Sequence, residues 1–361
     1  MESGRKPSRA ELGEIAFVGR GGRTPRVLAH GDYGQRSLAL DERYLYWSDD
    51  RAGEITRLPK DVGLPIVLAQ REYPANLTLA DGYLCWSEPE PGAERRGDGG
   101  PPQQVVRMPK EGGSIEVIAR DIDSVNAVIA RGGELAILCD GVFEYARREE
   151  VRGRVLYMRP GAARPEVLAS KQRWPECAVF VGDELYWLNG GWKWPTYFND
   201  GAVMHAKLDG PKKRWVVRKN LPMADSLIAD DTHLYWTTTP TYHTPRAEGG
   251  VYRRPLGGGA IEPMFFLYDR DGALLAQDAT NLYCFVKETG SLIRIPKGGG
   301  DTEVMMTCLE RLTLPQCIAV DERRIYWCVG SSDTAGGAVW SIAKDAAGTR
   351  REEPASRDPA N

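Results

Sequence analysis

The chain has 361 residues, of which 42% are hydrophobic and 27% charged, a composition typical of a folded globular protein. Its net charge of −3 excludes a basic field for nucleic acid or an anionic membrane, and no apolar stretch is long enough to span a bilayer. Residues 1–14 are polar and charged, so we expect no secretory signal and a cytoplasmic location.

The first predicted element, residues 12–29, is half of a repeat. Residues 13–29 (GEIAFVGRGGRTPRVLA) align without a gap on residues 53–69 (GEITRLPKDVGLPIVLA). The second of these segments is preceded by two further predicted strands, whereas the first is not. The N-terminal segment therefore has no partner strands of its own, and we expect it to join a sheet elsewhere in the chain.

Seven copies of one pattern follow. Each has a small or apolar strand, a polar turn, an aliphatic-Tyr-Trp strand, a variable loop, a strand that ends near Pro-Lys, a Gly-rich turn and a Val-Leu-Ala strand. The copies cover approximately residues 37–69, 76–119, 126–169, 177–218, 226–266, 273–307 and 316–344. One column of the alignment, at a spacing of roughly 40 to 50 residues, holds Trp47, Trp86, Ile137, Trp187, Trp236, Cys284 and Trp327.

This period is that of four-stranded propeller blades. We therefore predict an all-β fold, a single seven-bladed β-propeller of four-stranded antiparallel blades over residues 1–361, with the Trp column filling the wedges between blades. Residues 345–361 are charged and are expected to form a flexible tail, which leaves the last copy without a fourth strand. The N-terminal strands of residues 12–29 are expected to close that blade. Residues 26–29 would supply its fourth strand, which removes two open sheet edges and closes the ring. Residues 15–18 would either displace the strand of Trp340 or lie beside it.

The loops between the second and third strands are long in the second to fifth copies, at residues 88–103, 141–152, 189–200 and 239–249. The first has the composition of a disordered segment. The others lie on the face of the ring where a ligand would sit, and they carry aromatic side chains at Trp192, Trp194, Tyr197, Phe198 and Tyr242. These side chains would either bind a ligand or pack over the ring as a lid.

Polar residues recur at one position near the start of the innermost strand. That position holds Arg36, Ala75, Asn126, Glu176, Asp225, Ala273 and Gln316 in turn, and Trp174 lies just before one of these strands. A ring of mixed charges at the channel mouth is typical of a small-molecule pocket, although water alone could also solvate it.

Among the four histidines, His30 and His243 fall on the loop-rich face. If the protein moves protons, these two with Glu176 or Asp225 are the candidate catalytic acid and base. His205 and His233 occupy repeat positions that indicate a structural and a turn role. The sequence has no metal-ligand spacing and no phosphate loop, so we expect neither a metal nor a cofactor. The seven cysteines lack C-x-x-C spacing and are expected to be reduced and buried.

The segments LYWSD (45–49), LCWSE (84–88), LYWLN (185–189), LYWTT (234–238) and IYWCV (325–329) resemble the YWTD repeats of low-density-lipoprotein-receptor propellers. The overall plan is also similar to bacterial propellers of the streptogramin B lyase and NHL-like groups. The lyase resemblance implies a top-face site with a histidine base and a bound magnesium. Receptor YWTD rings have six blades and accompany EGF-like modules; this chain has seven copies and no such modules, which argues against a receptor role.

Two main functions remain open from the sequence, and carbohydrate binding through the exposed tryptophans is a third option. One is binding of a small molecule or peptide at the channel mouth, with or without non-redox acid/base catalysis of the lyase, isomerase or cyclase type. The other is a protein-interaction scaffold without catalysis. The sequence indicates neither nucleic acid nor membrane as a partner, and it leaves the oligomeric state and the substrate undefined.

Overall fold

The computed structural model describes residues 17–19, 22–31, 35–95, 100–140, 142–144, 149–151, 153–190, 200–209, 214–240, 249–267, 272–287, 289–308, 314–330 and 337–345. Within these ranges the strands form seven antiparallel sheets of four or five strands and one separate hairpin. The predicted all-β, seven-bladed β-propeller is confirmed. The described residues contain no helix long and apolar enough to cross a membrane.

The strands are numbered in chain order, beginning with β1 Phe17–Gly19 and β2 Arg26–Gly31. Blade one has β3 Gln35–Leu40, β4 Tyr44–Asp49, β5 Glu54–Pro59 and β6 Ile66–Gln70. Blade two has β7 Ala75–Ala80, β8 Tyr83–Pro89, β9 Gln103–Pro109 and β10 Glu116–Ile122. Blade three has β11 Val125–Arg131, β12 Glu134–Cys139, the hairpin β13 Val142–Glu144 and β14 Glu149–Val151, then β15 Gly153–Met158 and β16 Glu166–Gln172.

Blade four has β17 Pro175–Val181, β18 Glu184–Asn189, β19 Gly201–Lys207 and β20 Arg214–Leu221. Blade five has β21 Met223–Ala229, β22 His233–Thr239, β23 Gly249–Pro255 and β24 Glu262–Leu267. Blade six has β25 Ala273–Gln277, β26 Asn281–Val286, β27 Ser291–Pro296 and β28 Glu303–Cys308. Blade seven has β29 Leu314–Val320, β30 Arg324–Gly330 and β31 Gly337–Ala343.

The first strands of the blades form the inner wall of the ring. Each contacts the first strand of the next blade, and β29 of blade seven contacts β3 of blade one. The chain enters every blade at the channel and runs outward strand by strand; in blades six and seven the N-terminal strands β1 and β2 form the outermost strand. Residues at the start of the seven first strands therefore surround one end of a common axis.

The two N-terminal strands join different blades. Strand β2 pairs antiparallel with β31 as the fourth strand of blade seven, with Val27 opposite Trp340. Strand β1 pairs with β28 as a fifth strand on the outer edge of blade six, with Phe17 opposite Cys308. The N-terminal segment therefore covers the edges of two neighbouring blades.

The Trp column fills the spaces between blades. Trp187 packs with Ala136 and Leu138 of the preceding blade, and Trp236 packs with Leu188 and Val203 of its preceding blade. Every member of the column is buried. Large flat side chains suit a wedge that widens toward the periphery, and their burial helps to hold neighbouring sheets together.

A second repeated feature links neighbouring blades near the turn between the first two strands. Asp230 accepts hydrogen bonds from the hydroxyl of Tyr235 at 2.9 Å and from Lys297 of the next blade at 2.9 Å. Lys297 also lies 5.4 Å from the centre of the Tyr235 ring. The same arrangement joins Asp41 to Lys110, Asp278 to Lys344 and Asp321 to Lys60. Three of these lysines, Lys60, Lys110 and Lys297, belong to the Pro-Lys motif, and Lys344 follows Ala343 at the same repeat position; each links two neighbouring blades.

Three expectations outside the channel mouth can be compared with the structure. Glu88, assigned to a disordered loop, is instead a buried residue of β8 that accepts hydrogen bonds from Trp86 and Gln104, each at 2.8 Å. His205 has the structural role expected of it, because it stacks on Tyr186 and lies 3.0 Å from a carboxyl oxygen of Glu184. The six cysteines whose side chains are described are free thiols; four of them are buried as expected, and Cys177 and Cys317 are partly exposed.

Candidate functional site

The polar residues near the start of the innermost strands lie in β-bulges. The pairing of strands β3, β11, β17 and β29 skips one residue near its start, at Arg36, Asn126, Glu176 and Gln316. In β21 it skips Asp225 together with Ser226. A bulge leaves the extra residue out of the ladder and redirects its side chain. The repeated bulge therefore explains why this position can carry polar groups in an otherwise apolar wall.

Asn126 and Glu176 meet between blades three and four. The side-chain amide of Asn126 donates to the carbonyl of Pro175 at 3.0 Å and lies 3.4 Å from Oε2 of Glu176. In blade five, Thr239 donates to Oδ2 of Asp225 at 3.4 Å, and the backbone N–H of Ala273 also interacts with that carboxyl group. Both carboxyl groups are thus fixed by neighbours from an adjacent blade or strand.

Two charged residues that were not predicted from the sequence, Asp140 and Lys287, interact electrostatically with the carboxyl groups of Glu176 and Asp225. Asp140 follows β12 in blade three, and Lys287 follows β26 in blade six. Their backbone N–H groups donate to Ser124 at 2.9 Å and to Gly272 at 3.1 Å, as Gly190 donates to Trp174 at 2.8 Å in blade four. These three residues occupy the same repeat position, three residues after the Trp column. Comparing that column across the copies would have indicated them.

Asp140, Glu176 and Asp225, which we call the acidic arc, all have raised pKa values. Burial raises the pKa of Glu176 to about 7; the charge of Asp225 acts in the same direction, and Asn126 and Lys287 oppose it. Burial, followed by the charge of Glu176, raises the pKa of Asp140 to about 8. Burial also raises the pKa of Asp225, although Lys287 opposes the shift. At neutral pH Glu176 and Asp140 therefore retain protons that exposed carboxyl groups would have lost.

Two glycines leave space for the carboxyl groups. A Cβ atom at Gly190 would lie 2.9 Å from Oε1 of Glu176, and one at Gly272 would lie 2.7 Å from Oδ1 of Asp225. Gly272 also has a φ of 89°, in the region that favours glycine. Any side chain at either position would displace the acidic group beside it, so both glycines shape the arc.

The other predicted site residues are distributed as follows. Trp174, at a φ of 55°, immediately precedes β17, and Gln316 is exposed at the bulge of β29. Arg36 lies in the bulge of β3. His30 is exposed on β2, the outermost strand of blade seven, and no described hydrogen bond or ion pair joins it to the acidic arc. Five further residues lie outside the described ranges, namely Trp192, Trp194, Tyr197, Tyr242 and His243.

The acidic arc does not fit the magnesium implied by the lyase resemblance. Among the described side chains, no group of three or more His, Cys, Asp or Glu residues is arranged to hold a metal ion. Oε2 of Glu176 lies 3.4 Å from the side-chain amide of Asn126, and Lys287 interacts electrostatically with the carboxyl group of Asp225. A divalent cation needs several oxygen ligands at one point, and the described side chains offer no such group.

Comparison with known proteins places the chain by fold. No protein-family model and no curated protein matches it. Its structure is similar to a streptogramin B lyase, with a TM-score of 0.57 and 11% identity over 90% of this chain and 97% of that one. It is also similar to the β-propeller domain of the Trilobed protease from Pyrococcus furiosus, with a TM-score of 0.56 and 11% identity over 87% of this chain and 99% of that one.

A WD40 β-propeller domain of Doa1 has a TM-score of 0.55 at 11% identity, over 90% of this chain and 98% of that one. These proteins share the propeller architecture with this chain. At such identities the likeness establishes the fold alone, because propellers carry unrelated functions on the same scaffold. The chain is thus a seven-bladed β-propeller, a class that in general serves ligand binding or protein interaction.

Proposed function

We propose that the protein binds a small molecule or peptide at the channel mouth of blades three to six, and that Glu176 exchanges a proton with it. The observation that supports this is the pKa of Glu176, raised to about 7. A carboxyl group that is half protonated near neutral pH can serve as donor or acceptor in the same reaction cycle. The reaction type is non-redox, such as a lyase, isomerase or cyclase step.

The neighbours of Glu176 have distinct roles in this proposal. Asp140, with a pKa of about 8, is a neutral acid at pH 7 and can donate a hydrogen bond to a carbonyl or hydroxyl oxygen of the ligand. Lys287 stabilises negative charge that develops when Glu176 or Asp225 loses its proton. The amide of Asn126 holds the carboxyl group of Glu176 in position.

A ligand screen tests the binding half of the proposal. Calorimetry against a library of small metabolites and short peptides should yield ligands of the wild-type chain whose affinity falls by about tenfold or more in Glu176→Gln. The matched control is Glu322→Gln, which removes the same charge from an exposed turn. If every ligand binds Glu176→Gln as tightly as wild type, the channel-mouth proposal fails.

A separate experiment tests whether Glu176 exchanges a proton with the ligand. In deuterated water, a ligand with an acidic C–H bond should exchange that hydrogen in the presence of the wild-type chain and not in the presence of Glu176→Gln, as measured by mass spectrometry. Absence of exchange for a ligand that binds would make the protein a binding protein rather than an enzyme.

An exposed apolar segment favours protein interaction as the alternative. In blade one, Val62 and Leu64 are 90% and 81% exposed, and Ile66 and Val67 beside them are half exposed. Large exposed aliphatic side chains in a cluster are typical of a docking surface.

Alanine substitution of Trp192, Trp194 and His243 separates the two functions. Loss of ligand binding at an unchanged melting temperature supports the channel mouth, whereas intact ligand responses with loss of a pull-down partner support the scaffold.

A further inference from the structure

A cleft of about 390 Å³ lies between blades four and five, and no residue of the acidic arc lines it. Its walls include Leu221 at the end of β20, Trp236 and Thr238 of β22, and Tyr252 of β23, with Arg218 and Asn220 at its rim. Successive side chains of a strand point to opposite faces, so Thr238 faces the cleft while Thr239 contacts Asp225 of the acidic arc. The cleft is therefore a different site, and its interpretation does not depend on the proposed function.

Among the residues that the structure describes, two polar groups in this cleft have no hydrogen-bond partner. The indole Nε1 of Trp236 and the hydroxyl of Thr238 are both buried without one, and each residue is only 1% exposed. Native proteins rarely leave such groups unpaired, because a buried donor without an acceptor destabilises the fold. A bound molecule with an acceptor atom would satisfy both.

The interface between blades three and four contains the hydrogen-bond acceptor that the cleft lacks among its described residues. Between blades three and four, Gln172 accepts hydrogen bonds from the indole of Trp187 at 2.9 Å and from Asn189 at 3.1 Å. Gln172 ends its outer strand opposite Gly153, and Leu221 ends the next outer strand opposite Gly201, so the two residues are equivalent.

At the interface between blades four and five, Leu221 stands where Gln172 stands at the preceding one. The Trp of the repeat is kept as Trp236, but the acceptor that would pair with its indole N–H is replaced by an aliphatic side chain. Within the described part of the chain, the cleft therefore has a donor without an acceptor, at a point where there is space for another molecule.

The remaining walls define the class of ligand. Trp236 and Tyr252 are stacked with their ring centres 6.0 Å apart and their planes at 19°, which gives a flat apolar wall. Of the described residues that line the cleft, none is acidic, and Arg218 supplies a positive charge at the rim. The volume suits a small organic molecule. We propose that the cleft binds a small carboxylic acid with an aromatic or branched aliphatic body, whose carboxylate accepts from Trp236 and Thr238 and is attracted by Arg218.

Binding of phenylacetate, benzoate and 4-methylpentanoate to the full chain, measured by calorimetry, tests this. At least one should bind saturably with a Kd below about 1 mM, and phenylacetamide, which lacks the charge, should bind more weakly. If none of the three acids binds at concentrations up to about 10 mM, the proposal is overturned.

The decisive variant is Leu221→Gln, which supplies the acceptor that Gln172 provides at the preceding interface. It should raise the melting temperature, because Trp236 gains a partner, and should abolish binding of the acid. Trp236→Phe keeps the ring but removes the N–H and should weaken binding about tenfold. Trp187→Phe, the matched control at the other interface, should leave binding unchanged. Unchanged affinity in both Leu221→Gln and Trp236→Phe would overturn the site, whereas Glu176→Gln, which tests the channel mouth, should have no effect here.

Discussion

Lys60 of blade one donates a hydrogen bond to Oδ2 of Asp321 in blade seven at 2.8 Å, across 261 residues of sequence. Asp321 also accepts from the hydroxyl of Tyr326 at 2.9 Å. The first and last blades are therefore joined by the same three-residue link that joins consecutive blades elsewhere in the ring. Lys60 is only 9% exposed, so salt screens this ion pair less than a pair on the open surface.

Lys60→Met should lower the free energy of unfolding by about 2 kcal/mol, because Asp321 keeps its partly buried charge but loses its charged donor. Urea unfolding followed by tryptophan fluorescence measures the change. Lys207→Met is the control, because Lys207 is exposed at the end of β19. Equal unfolding midpoints for the two variants would show that the link between the first and last blades contributes no stability.

The aspartates of these links should make the fold sensitive to acid. Burial acts to raise the pKa of Asp230, but hydrogen bonds from Lys297 and Thr232 outweigh it and hold this pKa well below the usual value of 3.8. The folded chain therefore binds this proton less readily than the unfolded chain does. The resulting stabilisation is complete above about pH 4 and is lost as the pH falls further.

Asp230→Asn should accordingly be less stable than wild type at neutral pH, with a difference that shrinks between about pH 4 and about pH 2. Urea midpoints measured across that range for both proteins give the difference directly. Asp209→Asn, at an exposed pair with Arg159, is the control. A difference in urea midpoint between Asp230→Asn and wild type that stays constant down to the lowest pH would contradict this prediction.

The repeat could be predicted because residues that are close together in the sequence specify each blade. The aliphatic-Tyr-Trp strand and the Gly-rich turns fix each blade within a few tens of residues, and Trp187 or Trp327 needs only a neighbouring sheet to pack against. The bulge position of Asn126, Glu176 and Asp225 could be aligned for the same reason.

What could not be predicted depends on contacts between blades. Asp140 and Lys287 reach the channel mouth from the ends of second strands, and their effect on Glu176 or Asp225 depends on burial that no sequence position states. Glu88 lies next to a polar loop in sequence, yet its partners Arg71 and Gln104 come from residues 17 and 16 positions away. The mismatch of Trp236 with Leu221 became visible only when strand register defined which residues are equivalent.

The acidic arc should have the opposite pH dependence to the blade links. The pKa of Glu176 is raised from 4.5 to about 7, so between these values the folded chain holds a proton that the unfolded chain has released. Its contribution to stability therefore falls as the pH rises through this window. Glu176→Gln has no such proton to lose. It should be more stable than wild type at about pH 8, by about 2 kcal/mol, and similar to wild type near pH 4.

Thermal unfolding of wild type and Glu176→Gln at both pH values measures this difference. Glu322→Gln, which changes an exposed carboxyl group, should show no such dependence. A wild-type chain that remains as stable as Glu176→Gln at the higher pH would mean that Glu176 ionises without cost, and the acid/base role proposed for it would lose its basis.

Gly190→Ala tests the position of the Glu176 carboxyl group. The new Cβ would lie 2.9 Å from Oε1 and 3.0 Å from Cγ of Glu176, atoms near the end of a flexible side chain. The carboxyl group should therefore move while the backbone stays, at a cost in stability below about 1 kcal/mol. Displacement changes its distance from Asn126, so the titration of the Glu176 carboxyl carbon, followed by ¹³C NMR, should shift from that of wild type.

Gly257→Ala, where a Cβ meets nothing within 4 Å, should leave that titration unchanged. If Gly190→Ala titrates as wild type does, Glu176 does not lie against Gly190 in solution, and the space that this glycine leaves has no part in shaping the arc.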